Sequence, residues 1–284
     1  MTEFREEIGR YTSHDNLTIF YRQIRAEPER ARLVIAHGLG EHSGRYGNLF
    51  KRLIPQGISI WALDHRGHGQ SDGRRGHIQH FDQYLSDLGR LIQIVRQDRP
   101  DSGPCFLLGH SMGGLIALSF VRQGACPLDG VIASSPALGM VIAVPALQKI
   151  LVHTMSFVWP GLTMKNHLDA TKISHDQAVI DAYENDPRVH HHVSARWFTE
   201  FLSAMETVHR EASKIEIPLL LQVAGDDYLV NAQSALRFFE KLDLEDKTLR
   251  VYEGLYHEIY NESKDQREKV LRDLEDWLES HLWG

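Results

Sequence analysis

Hydrophobic positions along the chain fall into two rhythms that alternate. Residues 8–12 and 17–21 are β-rich and flank the turn residues His14-Asp15-Asn16, a pattern that predicts an antiparallel hairpin. Short, predominantly apolar runs follow at 33–36, 58–63, 105–108, 131–133, 219–223 and 249–252, each the length of a buried strand. Between them the apolar residues recur at helical spacing. Leu49, Phe50 and Leu53 mark one helix, and Phe81, Tyr84, Leu85, Leu88, Leu91, Ile92 and Val95 mark a second. Further helices are predicted over 114–121, ending at Gly124, over 232–242, and through Val270, Leu271, Leu274, Trp277, Leu278 and Leu282. Strands alternating with helices predict an α/β fold, a mostly parallel sheet with helices on both faces. Residues 137–205 break the alternation. They predict a helical cap inserted between a first core part, 1–136, and a second, 206–284. In such sheets the ligand site lies beyond the carboxyl ends of the strands.

The chemistry-bearing residues fall at those ends. Gly109-His110-Ser111-Met112-Gly113 joins a predicted strand to a predicted helix and has the Gly-x-Ser-x-Gly form of a nucleophile elbow. The turn is too tight for a side chain at Gly109 or Gly113, and it exposes Ser111 at a helix N-terminus. A serine hydroxyl needs a base, and the base needs an orienting carboxylate. The run 219–223 leads into Gly225-Asp226-Asp227, and the run 249–252 leads into His257. The order serine, acid, histidine is therefore met by Ser111, Asp227 and His257. Asp227 sits at the tip of Gly225-x-Asp227-x-x-Val230, which favours it as the acid and leaves Asp226 to cap the turn. His110 adjoins Ser111, but successive residues at so tight a turn point apart, so it is read as packing. The oxyanion of a tetrahedral intermediate needs two donors. The backbone N–H of Met112 and that of Leu39, in His37-Gly38-Leu39-Gly40, are the candidates.

Composition narrows the function. The chain has 284 residues and 42% hydrophobic content, enough for a core without metal or disulfide support. Its net charge, 31 − 38 = −7, argues against nucleic-acid binding. Cys105 and Cys126 read as reduced, packed residues. The charged N-terminal residues lack an apolar signal core, which makes a cytoplasmic location the expectation. The stretch 137–164 carries Lys149 as its single formal charge. Pro145, Gln148, His153 and Pro160 interrupt it, so it reads as amphipathic cap helices rather than a span. His190-His191-His192 could suggest a metal, but three consecutive residues cannot all face one ion on a regular element, and no supporting ligand spacing exists.

Taken together these segments resemble α/β-hydrolases of the monoacylglycerol lipase and lysophospholipase-like group, of serine aminopeptidase S33 type. The resemblance rests on His37 to Tyr46, on Asp64-His65-Arg66-Gly67-His68-Gly69-Gln70-Ser71, on the elbow, on the Gly225 turn and on His257. It implies a sheet of about eight strands with a helical cap. It also implies ester hydrolysis through an acyl-enzyme without metal or organic cofactor, and a structural role for the Asp64 loop. It places Glu41 and Arg45 at the glycerol end of the site. The chain departs from the mammalian monoacylglycerol lipases at Tyr260, where those carry a second histidine. The loop Gly-Leu-Gly-Glu differs from the Gly-Gly-Pro-Gly of peptidases of this fold.

The cap is rich in apolar residues, and Val141, Ile142, Leu147, Ile150, Leu151 and Phe157 are the expected acyl-binding residues. The expected substrate is a small lipid ester, most readily monoacylglycerol. Lysophospholipids, simple carboxylic esters and a non-catalytic ligand are the alternatives. Transient contact of the cap with a membrane or micelle is a further expectation.

Overall fold

The predominantly apolar runs become strands and the periodic segments become helices, as a computed structural model describes for residues 5–99, 103–124, 128–141, 146–166 and 168–282. Strands β1 (Glu6–Thr12) and β2 (Thr18–Ile24) form the predicted hairpin, with Asn16 at φ 66° in the turn, a conformation asparagine tolerates. There follow β3 (Ala31–Ala36), α1 (Gly47–Leu53), β4 (Ile58–Leu63), α2 (Asp82–Asp98), β5 (Cys105–His110), α3 (Met112–Val121) and β6 (Gly130–Ser134). The cap then inserts α4 (Ala146–Val158), β7 (Thr163–Lys165), α5 (Gln177–Asn185), β8 (His192–Ser194) and α6 (Ala195–Arg210). The core resumes with β9 (Leu219–Ala224), α7 (Ala232–Glu240), β10 (Lys247–Tyr252) and α8 (Lys264–Ser280).

The eight-stranded sheet runs β1-β2-β4-β3-β5-β6-β9-β10, antiparallel through β1, β2 and β4 and parallel from there on. Alternate residues of one strand serve opposite layers. Val34 and Ala36 pack with residues of α2, α3 and α6, whereas Leu33 and Ile35 pack with residues of α1 and α8. Both faces are thus covered, which is why the central strands read as predominantly apolar runs. Two three-residue strands, β7 and β8, pair antiparallel in the cap and are too short to leave a periodic trace.

Topology places the site. From β3 the chain crosses to β4 on one side, and from β5 it crosses to β6 on the other. The carboxyl ends of β3 and β5 therefore border the crevice where the winding direction reverses. Ala36 and Gly109 are register partners, so the loop after β3 and the elbow after β5 emerge side by side.

The elbow glycines are fixed by this crowding. A Cβ on Gly109 would strike the carbonyl of Gly113, and one on Gly113 would strike the carbonyls of Ala36 and His37. These are backbone atoms of β3, the loop after it and α3, not the ends of flexible side chains. Gly113→Ala should therefore cost about 1–3 kcal/mol as an overpacking change. Gly124, at φ 64° with nothing within 4 Å of its would-be Cβ, should cost about 1 kcal/mol as alanine through backbone strain alone. Paired denaturant melts check the ranking, and an alanine at 113 that melts no earlier than one at 124 would contradict it.

Candidate active site

The tight turn holds Ser111 at φ 54° and ψ −117°, a strained backbone for a residue with a side chain. The strain lifts the hydroxyl out of the layer between sheet and helix. Ser111 is only partly buried, whereas its neighbours His110 and Met112 are buried. Gly38, in the loop after β3, comes so close that a Cβ there would lie 3.3 Å from Ser111 Cβ. Met112 is the first residue of α3, a position whose N–H has no partner inside the helix. Leu39 and Met112 line the same cavity as Ser111.

The turns after β9 and β10 bring Asp227 and His257 together. His257 Nδ1 donates to Asp227 Oδ2 at 2.6 Å, with the two side chains 6% and 1% exposed. The second oxygen, Oδ1, accepts the N–H groups of Leu229 (2.8 Å) and Val230 (3.0 Å). Asp226 is exposed and makes no bond to the imidazole; its N–H donates to the Leu255 carbonyl at 3.1 Å. Burial alone would raise the Asp227 pKa, but the His257 charge, its hydrogen bond and the two N–H donors outweigh it and hold the carboxyl below its ordinary value. Burial alone would lower the pKa of His257. The Asp227 charge and hydrogen bond, with Glu258 and Glu41 behind, outweigh it and raise the imidazole above 6.5.

His257 and Ser111 face one cavity, although no hydrogen bond joins them in the resting site. Such contacts commonly close only with substrate bound. His110 also faces the cavity, its ring 4.8 Å from that of His257 and its Nδ1 3.3 Å from Ser134 Oγ. Burial and the neighbouring imidazole push its pKa down to about 3, so it stays neutral.

Polar and apolar ends divide the cavity, which holds about 330 Å³. At the polar end Glu41 accepts from the Gly38 N–H (2.6 Å) and the Tyr46 hydroxyl (2.9 Å). Arg45 reaches Glu41 at 3.2 Å and both oxygens of Glu258 at 2.8 and 2.5 Å, and lies 4.8 Å above the Tyr183 ring. This is a buried network, with Arg45 8%, Glu41 5% and Glu258 7% exposed, not a surface pair. Burial and the Glu258 charge raise Glu41 to about 7, whereas Arg45, working against burial, keeps Glu258 below its ordinary value. Glu41 and Glu258 line the cavity; Arg45 stands behind them and does not. Tyr260 does not face the cavity either. It is buried and donates its hydroxyl to Gln222 in the core.

The apolar lining of the cavity differs from the residues expected in the cap. Val141, Ile150, Leu151 and Phe157 do not line the cavity and are 47%, 64%, 59% and 83% exposed. Ile142, the side chain of Leu147 and Cys126 lie outside the described residues. Instead α6 supplies Trp197, Phe198, Phe201 and Met205, joined by Met140, Met164, Ile173, Val193, Leu229 and Val230. Trp197, Phe201 and Met205 recur every four residues, a helical stripe that sequence reading could have found. The density of apolar residues before 164 drew attention away from it.

Other expectations have definite places. Asp64 is buried and accepts from Ser43 N–H and Oγ and from the Gln70 N–H, so its loop braces the core rather than the cavity. The three consecutive histidines part: His190 stacks near His68, His191 meets Tyr183, and His192 is exposed on β8. Among the described residues no group of three or more potential ligands is arranged for a metal ion, and no helix is long and apolar enough to cross a membrane.

Known proteins are similar to this chain in sequence and fold. A family model described as serine aminopeptidase, S33 matches residues 27–264. A monoacylglycerol lipase of Mycolicibacterium smegmatis is 33% identical over 254 residues, covering 89% of each chain. Phospholipase YtpA of Bacillus subtilis is 34% identical over 261 residues, covering 91% of this chain and 98% of its own. The crystal structure of Paleococcus ferrophilus monoacylglycerol lipase superposes with a TM-score of 0.81 at 32% identity, covering 98% of this chain and 99% of that one. With a family model matched over residues 27–264 and relatives above 30% identity along most of its length, this chain belongs to the serine aminopeptidase S33-type family of α/β-hydrolases.

Proposed function

We propose that this protein hydrolyses monoacylglycerols to fatty acid and glycerol through an acyl-enzyme on Ser111. The observation that carries the reading is the buried His257–Asp227 pair, which opens with Ser111 onto a cavity apolar at one end and polar at the other. His257 takes the hydroxyl proton as Ser111 attacks the ester carbonyl, and returns it to the leaving alcohol. Asp227 orients the ring and stabilises the imidazolium. The N–H groups of Leu39 and Met112 receive the oxyanion, each worth about 3 kcal/mol in the transition state. Water then repeats the cycle on the acyl-enzyme. Trp197, Phe201 and Met205 hold the acyl chain, and Glu41 and Glu258 accept hydrogen bonds from the alcohol's free hydroxyls. The core parts 1–136 and 206–284 carry the chemistry, and 137–205 carries the acyl site.

Likeness to a phospholipase supports a second reading, a lysophospholipid substrate. The polar end disfavours it. Two carboxylates share one arginine there, and Arg45, engaged by both, is not free to balance a phosphodiester.

The cap's outer face points to contact with a lipid surface. Helix α4 is turned inside out: Ser156 is buried and hydrogen-bonded to Thr199 at 2.8 Å, while Phe157, Val158 and Trp159 are 83%, 71% and 63% exposed. Met140 and Met164, each 37% exposed, connect that apolar surface to the cavity.

Three outcomes are expected. Ser111→Ala should lose on the order of 10⁶ in kcat and all labelling by a fluorophosphonate probe; a rate within tenfold of the parent would end the proposal, and faster turnover of lysophosphatidylcholine than of monoacylglycerol would favour the second reading. The second outcome concerns pH. A protonated His257 cannot accept the serine proton, so activity is absent well below its pKa and rises as pH climbs through it. Because that pKa is raised, the acid limb of kcat/KM on p-nitrophenyl butyrate should have its midpoint above ~6.5. A midpoint at or below that value would contradict the pairing with Asp227. Third, replacing Phe157, Val158 and Trp159 together by serine should cut liposome co-sedimentation by roughly tenfold or more. Turnover of the soluble p-nitrophenyl ester should stay as it was. Equal sedimentation of the two proteins would remove the membrane reading.

A further inference from the structure

One carboxylate joins the cap to the loop of His257. Glu262 has a fully buried side chain, 0% exposed. Its Oε1 accepts from the Tyr256 N–H (2.6 Å) and from His175 Nδ1 (2.9 Å). Its Oε2 accepts from the His175 N–H (2.8 Å) and faces the Ser174 hydroxyl at 3.3 Å. Tyr256 immediately precedes His257, whereas Ser174 and His175 belong to the cap. Two parallel bonds run beside this junction. The Glu258 N–H donates to the Ile173 carbonyl at 2.8 Å, and the Ser174 hydroxyl lies 2.8 Å from the Asn261 carbonyl. His175 also stacks on Tyr256 with ring centroids 3.7 Å apart. Among the described residues, His175 is the one ion-pair partner of Glu262.

We infer that Glu262 is a positioning residue. It fixes the backbone pivot of His257 and ties that pivot to the seating of the cap. The hydrogen bond to Asp227 sets one ring nitrogen, but it leaves the ring free to swing with its backbone. Held at the N–H of Tyr256, the backbone cannot shift, and the other ring nitrogen stays aimed at Ser111. An error of about 1 Å at this point costs up to 10²-fold in rate. The residue type follows from the donor count. Both oxygens face donors, so a glutamine amide would turn its NH₂ toward at least one N–H and leave that donor buried without an acceptor.

The inference rests on His257 being the base, and the experiment separates the two. Glu262→Gln, His175→Ala and His257→Ala are assayed in the full chain with p-nitrophenyl butyrate, with rates normalised to the folded fraction from thermal melts. Glu262→Gln should lower kcat by roughly 10- to 100-fold while KM stays within about threefold. Its acid limb should move down, toward ~6.5, as the hold of Asp227 on the imidazole loosens. The groups facing that imidazole, Asp227, Glu258, Glu41 and His110, are otherwise unchanged. His175→Ala truncates a side chain 37% exposed and should show a smaller change in the same directions. A folded Glu262→Gln protein with parental kcat and an unmoved acid limb overturns the inference, as does a loss of rate fully explained by unfolding. If Glu262→Gln does not fold, an unmoved kcat and acid limb in His175→Ala overturn it. Retained turnover in His257→Ala refutes the base assignment itself. An inactive His257→Ala protein beside a parental Glu262→Gln protein refutes only the positioning role.

Discussion

An alcohol attacks an ester only when something takes its proton, and in the proposed reaction that requirement comes down to the 2.6 Å hydrogen bond between Asp227 and His257. The carboxylate is buried without an arginine or lysine partner. It keeps its charge because two backbone N–H groups and the imidazole supply what water would have supplied. The sheet makes the pairing possible. β9 and β10 are adjacent and parallel, with Ala224 opposite Tyr252, so the acid turn and the histidine loop leave the sheet at one height. The elbow leaves β5 on the same edge. His110 completes the electrostatics by staying neutral, because a second cation beside His257 would oppose the imidazolium that the reaction must form.

What could be read from the residues follows from how local each signal is. The eight core strands were legible, two of them in the hairpin and six as predominantly apolar runs, because most are covered on both faces; the buried Arg32, Ser59 and Gln222 that interrupt the pattern are each hydrogen-bonded. The elbow was legible because five consecutive residues carry its whole pattern, although the atoms that a Cβ on Gly113 would strike, the carbonyls of Ala36 and His37, lie far back in the chain. Asp227 and Asp226 differ by one position, and the choice rested on turn geometry. The structure shows the physical consequence: Oδ1 of Asp227 closes its own turn, and the other oxygen is left for the imidazole.

The apolar lining of the cavity was not legible, for the opposite reason. Apolar density says that a segment seeks to leave water, not which surface receives it. Residues 137–164 are the greasier stretch, yet α4 buries its serine and exposes its large side chains. The more polar α6 directs Trp197, Phe201 and Met205 into the cavity. A helix with one apolar stripe serves a core, whereas one whose apolar side faces outward serves a partner or a surface. The glycerol end was half legible. Glu41 and Arg45 could be named, but their third member, Glu258, follows the histidine in a loop whose direction only the tertiary structure sets.

Attachment of the cap is uneven, and this limits how it can move. The segment 173–190 is bonded to both loops that surround the reacting atoms. The His190 N–H donates to the Gly40 carbonyl at 2.9 Å, the Glu258 N–H donates to that of Ile173, and Glu262 holds Ser174 and His175. Gly40 can accept this contact only as glycine, since at φ 79° a side chain would be strained and a Cβ would meet the His190 carbonyl. Displacing this half of the cap would therefore disturb the loop of Leu39 and the pivot of His257 together. Helix α4 packs chiefly against α6, with Ser156 bonded to Thr199. Under the proposed function, a cap that admits an acyl chain without loosening the loops of Leu39 and His257 yields at α4, the element whose apolar side is already turned outward.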